Sequence, residues 1–410
     1  MKTNNTKKLK TNSNEVGGVA IKNKQLRKST LRLLDQSSSV TITEIAKELN
    51  ISVPKATDLV GSMVEEKILR DEGKQDSTGG RRANAFGLMA EAGYFLGVDI
   101  KLHHVNFGWM DLKKGMVTMT EKVSYHLVNT EGALQELFQL IQQFIDEHHA
   151  YKKNLIGIGL NIPGRINPRT GHNYNHFNFK EEPLSEIVAE KFGIPTIIEN
   201  DSKAMVLGEF SNADAGNEKN AILINLDYGI GMGILIDGKI YHGKSGFSGE
   251  LGHIPVFDNE IICHCGKKGC LETEASGIAL LRKFKQKIQA GSTSLAFDGS
   301  RPLEDITLNN IIEAAKNEDT LCIEILEELG EKLGKAIAIV INIFNPETVI
   351  LGGTLSETGE YLRFSAKSTL NRLSHSIVNN DTNLKVSQLG EKAGVIGACL
   401  NARAKFLFDQ

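Results

Sequence analysis

The stretch that decides the fold is GELGHIPVFDNEIICHCGKKGCLETEAS, residues 249–276. It carries four closely spaced candidate metal ligands, which are His253, Cys263, Cys265 and Cys270. Structural zinc takes four ligands of these kinds in a tetrahedron, and Gly266 and Gly269 allow the tight turn that would gather the cysteines. A C-x-C pair is too close for an easy disulfide, so the pattern predicts a zinc site. A disulfide or plain buried thiols are the alternatives.

Composition places the chain among cytoplasmic globular proteins. Its 410 residues predict two or three domains, and no apolar run reaches the ~18 residues that a membrane span needs. The N-terminal MKTNNTKKLKTNSN is basic but has no apolar stretch behind it, so it does not resemble a secretory signal. Five cysteines, an odd number, indicate the reducing cytoplasm.

Charge is distributed unevenly along the chain. Residues 1–89 contain 16 Lys and Arg against 10 Asp and Glu, whereas the rest of the chain contains 31 against 40. A basic N-terminal module on an acidic body favours a nucleic-acid-binding head. Within it, residues 1–21 are polar and predict a disordered basic tail.

Residues 22–90 are predicted to form a winged helix-turn-helix. Thr41 is placed to cap a helix, and a tight turn at residues 50–52 leads into another helix with an apolar face. Two short strands around a Gly- and Arg-rich loop would then form the wing. The expected DNA contacts are Lys55, Thr57 and Asp58 on the second of these helices and Lys74, Arg81 and Arg82 in the wing. A small helical domain for protein contacts is the alternative.

From Tyr94 onward strands and helices alternate, and several strands end in glycine. This pattern predicts two α/β lobes with a cleft between them. The segment GKIYHGKS, residues 238–245, matches the phosphate-loop pattern in letters only. It reads as a hairpin turn and a strand with no helix behind it, which that motif requires. The glycines of GIGMG, residues 229–233, could approach a phosphate or simply allow close strand packing.

A set of polar side chains could bind a sugar. Asn200 and Asp201 follow a predicted strand, and Glu250, His253 and Glu272 belong to the zinc stretch. Carboxylates and amides make paired hydrogen bonds with hydroxyl groups, and a carboxylate can also act as a general base. Ordinary polar residues at loop edges are the alternative. A loop containing Asn173, Asn175, His176 and Asn178 is a further candidate for sugar recognition.

Taken together, these segments resemble the ROK family, named for repressors, open reading frames and kinases. The resemblance rests on residues 249–277, with further matches in order at 162–164, 199–209, 229–243 and 349–353. It covers about residues 22–410 and implies an α/β, actin-like or hexokinase-like fold. The first lobe would comprise 91–200 plus 389–410, and the second 201–388 with the zinc. The sugar contacts it implies are Gly164, Asn200, Asp201, Glu250, His253 and Glu272, with His253 serving both zinc and sugar.

Two departures from the family pattern concern ATP. Kinase members carry D-x-G-x-T, where this chain has Lys101 and His103 in place of the glycine and threonine. In the second phosphate segment, Asp227 and Tyr228 stand in place of glycine and threonine. A carboxylate and a bulky ring disfavour phosphate binding, so the chain is not expected to be an enzyme. Asp201 would be the general base if it were a kinase.

The resulting prediction is a sugar-responsive transcriptional repressor of carbohydrate uptake or catabolism genes. Its partners would be an operator on double-stranded DNA and a sugar or sugar phosphate in the cleft, with structural Zn²⁺ as cofactor. It would act in the cytoplasm as a homodimer or homotetramer, with each head at one half-site. The alternatives are an ATP-dependent sugar kinase with a DNA-binding head and a zinc-dependent scaffold that responds to a protein partner.

Overall fold

The computed structural model describes residues 18–74, 83–211 and 218–408. The chain divides into two compact units. The first comprises residues 1–162, 170–199 and 398–410, and the second comprises 163–169 and 200–397. The N-terminal head, residues 22–90 of the prediction, therefore belongs to the same unit as the first α/β sheet. These bounds differ from the predicted lobes at residues 163–169 and 389–397, which join the second unit.

Over the described residues 18–74 and 83–88, the head consists of three helices and a three-stranded sheet. Its elements are α1 (Gly18–Gln36), β1 (Val40–Thr41), α2 (Ile42–Glu48), α3 (Val53–Glu65), β2 (Leu69–Lys74) and β3 (Asn84–Leu88). Thr41 caps α2 as predicted, in a capping box with Glu44. The predicted wing strands pair antiparallel, and β1 adds to β3 as a third strand. Two residues are too few for a periodic signal, so β1 was not predicted.

Two predictions for the head need comment, the disordered tail at residues 1–21 and the wing arginines Arg81 and Arg82. Helix α1 begins at Gly18, inside the predicted tail of residues 1–21. The reason is that its buried stripe starts only at Leu26, so its first two turns have no apolar periodicity. Residues 1–17, Arg81 and Arg82 lie outside the described residues.

The α/β part of the first unit is a five-stranded sheet in the order β10-β7-β4-β5-β6. Its strands are β4 (Tyr94–Ile100), β5 (His104–Asp111), β6 (Met116–Ser124), β7 (Leu155–Ile162) and β10 (Thr196–Asn200). Strands β4 and β5 form an antiparallel hairpin, and β7 runs parallel to β4. The helices are α4 (Glu131–Glu147), α5 (His149–Lys152) and α6 (Leu184–Phe192). Two short strands lie between β7 and α6, β8 (Ile166–Asn167) in the second unit and β9 (His172–Asn173) in the first.

The second unit contains a five-stranded sheet in the order β13-β12-β11-β14-β15. Its strands are β11 (Ala221–Leu226), β12 (Ile230–Ile236), β13 (Lys239–Ile240), β14 (Thr348–Gly352) and β15 (Asn383–Val386). The helices are α7 (Asp201–Glu209), α8 (Glu272–Ala275), α9 (Gly277–Gln289), α10 (Leu308–Lys316), α11 (Thr320–Phe344), α12 (Glu360–Leu373), α13 (Ser376–Asp381) and α14 (Lys392–Phe408). The last helix continues into the first unit. Helix α11 buries a long apolar face in the core.

Residues 308–344 are almost entirely helical but are divided into the two helices α10 and α11. The break occurs because Asp319 caps α11, accepting a hydrogen bond from Cys322 N at 2.8 Å. The short helix α13 was not predicted. None of the described helices is long and apolar enough to cross a membrane.

The rejection of the phosphate-loop match is confirmed. Asp237 and Gly238 both have positive φ, at 51° and 72°, and turn β12 into the antiparallel β13. No helix follows β13 within the described residues up to 250. The backbone N–H groups of residues 238–245 therefore do not converge at a helix N-terminus, which a phosphate loop requires.

Candidate metal and ligand site

The four predicted metal ligands lie together in the second unit. The ligand atoms of His253, Cys263, Cys265 and Cys270 all lie within 4.8 Å of one another. Gly266 and Gly269, with φ of 81° and 74°, form the turn between the cysteines, as the sequence predicted. At Gly269 a side chain would also collide with the Phe257 carbonyl.

The spacing of these atoms fits a tetrahedral zinc ion. Zinc–sulfur and zinc–nitrogen bonds of ~2.3 and ~2.1 Å place sulfur pairs about 3.8 Å apart and sulfur–nitrogen pairs about 3.6 Å apart. The Cys265 and Cys270 sulfurs are 3.6 Å apart, and Cys263 Sγ is 3.6 Å from His253 Nδ1. Burial raises the pKa of Cys263 to about 12. Because thiolates bind zinc, the ion would supply the charge that removes these protons.

The two ring nitrogens of His253 face different groups. Nδ1 points to the cysteine cluster, whereas Nε2 lies 3.8 Å from Glu250 Oε2. Glu250 Oε2 is also 3.9 Å from Arg165 Nε. A metal bound at Nδ1 would therefore fix the ring and leave Nε2 beside the predicted sugar-binding carboxylate.

Asn200 and Asp201 stand at the N-terminus of α7. Asn200 caps the helix, its side-chain oxygen accepting from Lys203 N at 3.2 Å. Its Nδ2 donates to the Gly164 carbonyl at 3.0 Å and to Asp201 Oδ1 at 3.1 Å. The structure thus brings together Gly164, Asn200 and Asp201. Asp201 is 8% exposed and lies where the helix dipole favours negative charge.

Asn225, at the end of β11, was missed by sequence analysis. Its Nδ2 donates to Asp201 Oδ2 at 3.0 Å and to Ser202 Oγ at 3.2 Å, and the residue is buried. Both Asp201 oxygens therefore accept from amides, which fixes the carboxylate. The only sequence signal was an asparagine in an otherwise apolar strand.

Glu272 begins α8 and is 7% exposed. Its Oε2 accepts from Ile230 N at 3.1 Å, and its Oε1 lies 2.8 Å from His264 Nδ1. Burial opposes its charge, but the hydrogen bonds from His264 and Ile230 outweigh burial and lower the pKa of Glu272. The same bond raises the pKa of His264, a second residue that sequence analysis missed.

The glycines of residues 229–233 serve close packing. A side chain at Gly231 would meet Ser202 Oγ at 2.0 Å, and one at Gly233 would meet the Ser202 carbonyl at 2.3 Å. At Gly229 it would meet Glu272 Oε2 at 2.7 Å. Strand β12 therefore packs against α7 at one point and against Glu272 at another. Of the two interpretations left open, packing accounts for these glycines.

The first kinase segment is occupied by side chains. Lys101 Nζ lies 3.3 Å from Asp99 Oδ2, and both side chains are buried. Asn161 Nδ2 donates to Asp99 Oδ1 at 3.2 Å. His103 stacks on His126 with ring centroids 5.3 Å apart.

The second kinase segment lies at the turn between β11 and β12. Asp227 Oδ1 accepts from Tyr228 N at 2.9 Å and from Thr354 Oγ1 at 3.1 Å. Tyr228 packs against the core of the second unit. Burial, and then the charge of Asp227, raise the pKa of the Tyr228 phenol.

The asparagine-rich loop belongs to the first unit, whereas the acids of the zinc stretch belong to the second. Asn173 Oδ1 accepts from Asn175 N and His176 N, and Asn178 Nδ2 donates to the Tyr174 carbonyl. These bonds order the loop internally.

The described DNA-contact candidates lie on the surface of the head. Lys55, Thr57, Asp58 and Lys74 are all exposed. Lys55 Nζ donates to Asn23 Oδ1, and Thr57 Oγ1 donates to the Val53 carbonyl one turn earlier. Asp58 and Lys74 are available to solvent on α3 and β2.

Comparison with known proteins gives consistent matches over most of the chain. The ROK family profile matches residues 95–405. A xylose repressor from Caldicellulosiruptor bescii is 30% identical over 91% of this chain and 94% of its own length. The DNA-binding transcriptional dual regulator NagC of Escherichia coli is 29% identical over 95% of each chain.

Two solved structures, a transcriptional regulator and a kinase, are similar to this chain. A ROK family transcriptional regulator, homologous to the Escherichia coli MLC protein, superimposes with a TM-score of 0.78 at 26% identity. The match covers 94% of this chain and 97% of that one. A ROK family glucokinase from Streptomyces griseus, in complex with glucose and AMPPNP, gives a TM-score of 0.67 at 28% identity. That match covers 76% of this chain and 99% of the glucokinase.

Proposed function

The chain belongs to the ROK family, and from this premise we propose that it is a sugar-responsive, DNA-binding regulator of transcription that acts as a repressor. Two curated relatives that align over nearly their full length are named a xylose repressor and a DNA-binding transcriptional dual regulator. The α/β body has the ROK fold, preceded by the N-terminal head. Genes of carbohydrate uptake or catabolism are the expected targets.

One observation carries the proposal. The glucokinase aligns over 99% of its own length yet leaves about a quarter of this chain unmatched, whereas the transcriptional regulator aligns over 97% of its length and covers 94% of this chain. The family profile begins at residue 95, after the head. What this chain has beyond a sugar kinase is therefore an N-terminal head, and a helix-turn-helix with a wing suits DNA.

The side chains in the two kinase segments support a role without catalysis. A buried Lys101–Asp99 pair occupies the first segment, and a carboxylate and a phenol occupy the second. Phosphate oxygens need close backbone approach and positive partners. Asp227 adds a negative charge instead. Asp201 then acts as a hydrogen-bond acceptor for the sugar.

The effector would bind through the polar groups of the second unit. Asn200, Asp201, Glu250, His253 and Glu272 offer acceptors and donors for adjacent hydroxyls, and Gly164 lies beside Asn200. Held by the three cysteines, a zinc ion would supply a rigid structural crosslink. His253 Nε2 would then be oriented toward the ligand by the metal at Nδ1.

DNA binding would use both the helix and the wing. We infer that α3 enters the major groove, with Lys55, Thr57 and Asp58 on its outer face, and that Lys74, Arg81 and Arg82 reach the backbone or the minor groove. A homodimer or homotetramer in the cytoplasm would present two heads to two half-sites. Sugar binding would change the affinity for DNA only if the sugar binds the two states unequally.

The decisive experiment selects fragments of host genomic DNA on the purified full-length protein and repeats the selection with pentoses, hexoses and their 6-phosphates. We expect a small set of fragments that one sugar class releases or strengthens. An Arg81→Ala and Arg82→Ala double variant should lose the fragments, and an Asp201→Asn variant should keep them but ignore the sugar. Absence of any enriched fragment would contradict the proposal.

A further inference from the structure

Helix α14 is one continuous helix with its two ends built into different compact units. Residues 392–397 belong to the second unit, and residues 398–408 belong to the first. An α-helix transmits displacement along its axis because its backbone hydrogen bonds resist stretching and bending. The contacts that each half of α14 makes within its own unit therefore determine whether a displacement at one end reaches the other.

The first half of α14 packs against α7 with almost no side chain between them. A side chain at Gly397 would meet the Ala204 carbonyl at 1.9 Å, and one at Gly208 would meet the Ala393 carbonyl at 2.0 Å. Both contacts recur at a spacing of four residues, one helical turn. Interfaces packed this closely cannot slide gradually, so a shift of α7 displaces α14.

Helix α7 has a candidate sugar-binding residue at its N-terminus. Its C-terminus is hydrogen-bonded to the segment that precedes α14. Asp201 is its first residue. Glu209 is its last, is buried, and accepts from the Ser387 hydroxyl and the N–H groups of Gln388 and Leu389. The segment leading into α14 is thus tied to α7.

The second half of α14 is fixed within the first unit. A side chain at Gly159 of β7 would meet the Ala398 carbonyl at 2.0 Å. The Arg403 side chain is buried, and its Nε donates to the Leu112 carbonyl at 2.9 Å. This half therefore cannot move without disturbing the sheet.

The same arginine holds the DNA-binding head. Arg403 Nη2 lies 2.6 Å from Asp35 Oδ1, near the end of α1, and Lys114 Nζ lies 3.1 Å from that oxygen. Arg32 of α1 donates to the Phe408 carbonyl at 2.7 Å. Ala402 and Leu407 belong to the same apolar cluster as the core of the head. The head is thus anchored to α14 by charge and by apolar packing.

We propose that α14 transmits the state of α7 to the DNA-binding head and that the Asp35–Arg403 ion pair is the contact through which the head receives it. The proposal rests on the proposed function, since it describes how effector binding would regulate DNA binding. It assigns the signal to the last helix of the chain, and not to the short connection between β3 and β4.

Hydrogen–deuterium exchange on the full-length protein tests the coupling without sugar or DNA, so its outcome is separate from that of the proposed function. Gly397→Ala displaces α14 inside the second unit. We expect the amides of residues 31–36 in α1 to exchange at least about tenfold faster. Gly132→Ala, a helical position with open space around it, is the control and should leave them unchanged.

A second variant tests the reverse direction, because coupling between two sites is reciprocal. Arg403→Met breaks the contact in the first unit and should speed exchange in residues 201–209 of α7. Lys114→Met removes the other partner of Asp35, which is not on α14, and should leave α7 unchanged. The proposal is overturned if Arg403→Met or a folded Gly397→Ala variant alters exchange only within its own unit.

Discussion

The candidate sugar-binding groups and the two kinase segments differ in what fills them. Around Asp201 and Glu272, polar atoms converge and the neighbouring glycines are kept for packing. In the two segments predicted to depart from the kinase pattern, Lys101 pairs with Asp99 and Asp227 accepts a hydrogen bond from Thr354. The difference supports the expectation that the fold keeps groups suited to a hydroxylated ligand and disfavours phosphate at these two segments.

The physical basis of this difference is how closely each ligand must approach the protein backbone. A sugar hydroxyl is recognised by side chains that reach out to it, so their carboxylates and amides suffice. A triphosphate is held chiefly by backbone N–H groups, which a side chain at a former glycine position obstructs. We therefore expect the two substitutions in each segment to disfavour the binding of a triphosphate.

The largest expected effect concerns the zinc ion proposed at His253, Cys263, Cys265 and Cys270. Cys270→Ser should remove bound zinc and lower the free energy of unfolding by about 3 kcal/mol or more, because a structural metal contributes folding energy. Elemental analysis and thermal denaturation measure both. Cys322→Ser, at a buried cysteine outside the cluster, should keep the metal. Full zinc in the Cys270→Ser variant would contradict the assignment.

The next prediction concerns the ligand itself. Among pentoses, hexoses and their 6-phosphates, one class should raise the melting temperature of the wild-type protein. Asp201→Asn and Glu272→Gln should each weaken binding by about tenfold to a hundredfold, since a hydrogen bond to a charged group contributes about 1.5–3 kcal/mol. Calorimetric titration gives the constants. Glu260→Gln, at an exposed residue of the same stretch, serves as the control.

A third prediction concerns ATP binding and tests the effect of restoring the expected kinase residues at positions 227 and 228. The wild-type protein should show no sugar-dependent ATP turnover in a coupled assay. Replacing Asp227 by Gly and Tyr228 by Thr removes a negative charge and a ring, so affinity for AMPPNP should rise about tenfold. Turnover by the wild-type protein that Asp201→Asn abolishes would instead establish a working kinase.

The smallest effect tests whether Asp227 is held in place by the structure. Thr354→Val removes the hydroxyl that donates to Asp227 Oδ1. The loss should cost about 1 kcal/mol in chemical denaturation and should not alter sugar affinity. Thr358→Val, which removes a hydroxyl bonded to a backbone carbonyl elsewhere in the same unit, is the matched comparison.

The clustering of the four candidate metal ligands and most helices and strands could be predicted from sequence because their signals are local. Closely spaced cysteines, capping residues such as Thr41, and apolar periodicity over ten residues each specify structure within a short window. Asn225 and His264 could not be predicted in the same way. Their partners Asp201 and Glu272 lie 24 and 8 positions away, and a single polar residue carries no pattern.

The boundaries of helices and of the two units, and the close packing at glycines, could not be predicted from sequence for a related reason. Asp319 interrupts a long apolar run, and only its hydrogen bond to Cys322 identifies it as a cap. The glycines of β12 allowed two interpretations until their neighbours were known. The assignment of residues 163–169 and 389–397 to the second unit depends on contacts distant in sequence.

The position of α14 in the chain has a consequence for biosynthesis. Residues 392–408 follow almost every other described element and contribute to the cores of both units. While earlier residues leave the ribosome at about 5–20 per second, neither unit can complete its packing. Premature termination before this helix would leave apolar surface of the head and the first sheet uncovered. Both units would thus complete their packing only after α14 has been synthesised.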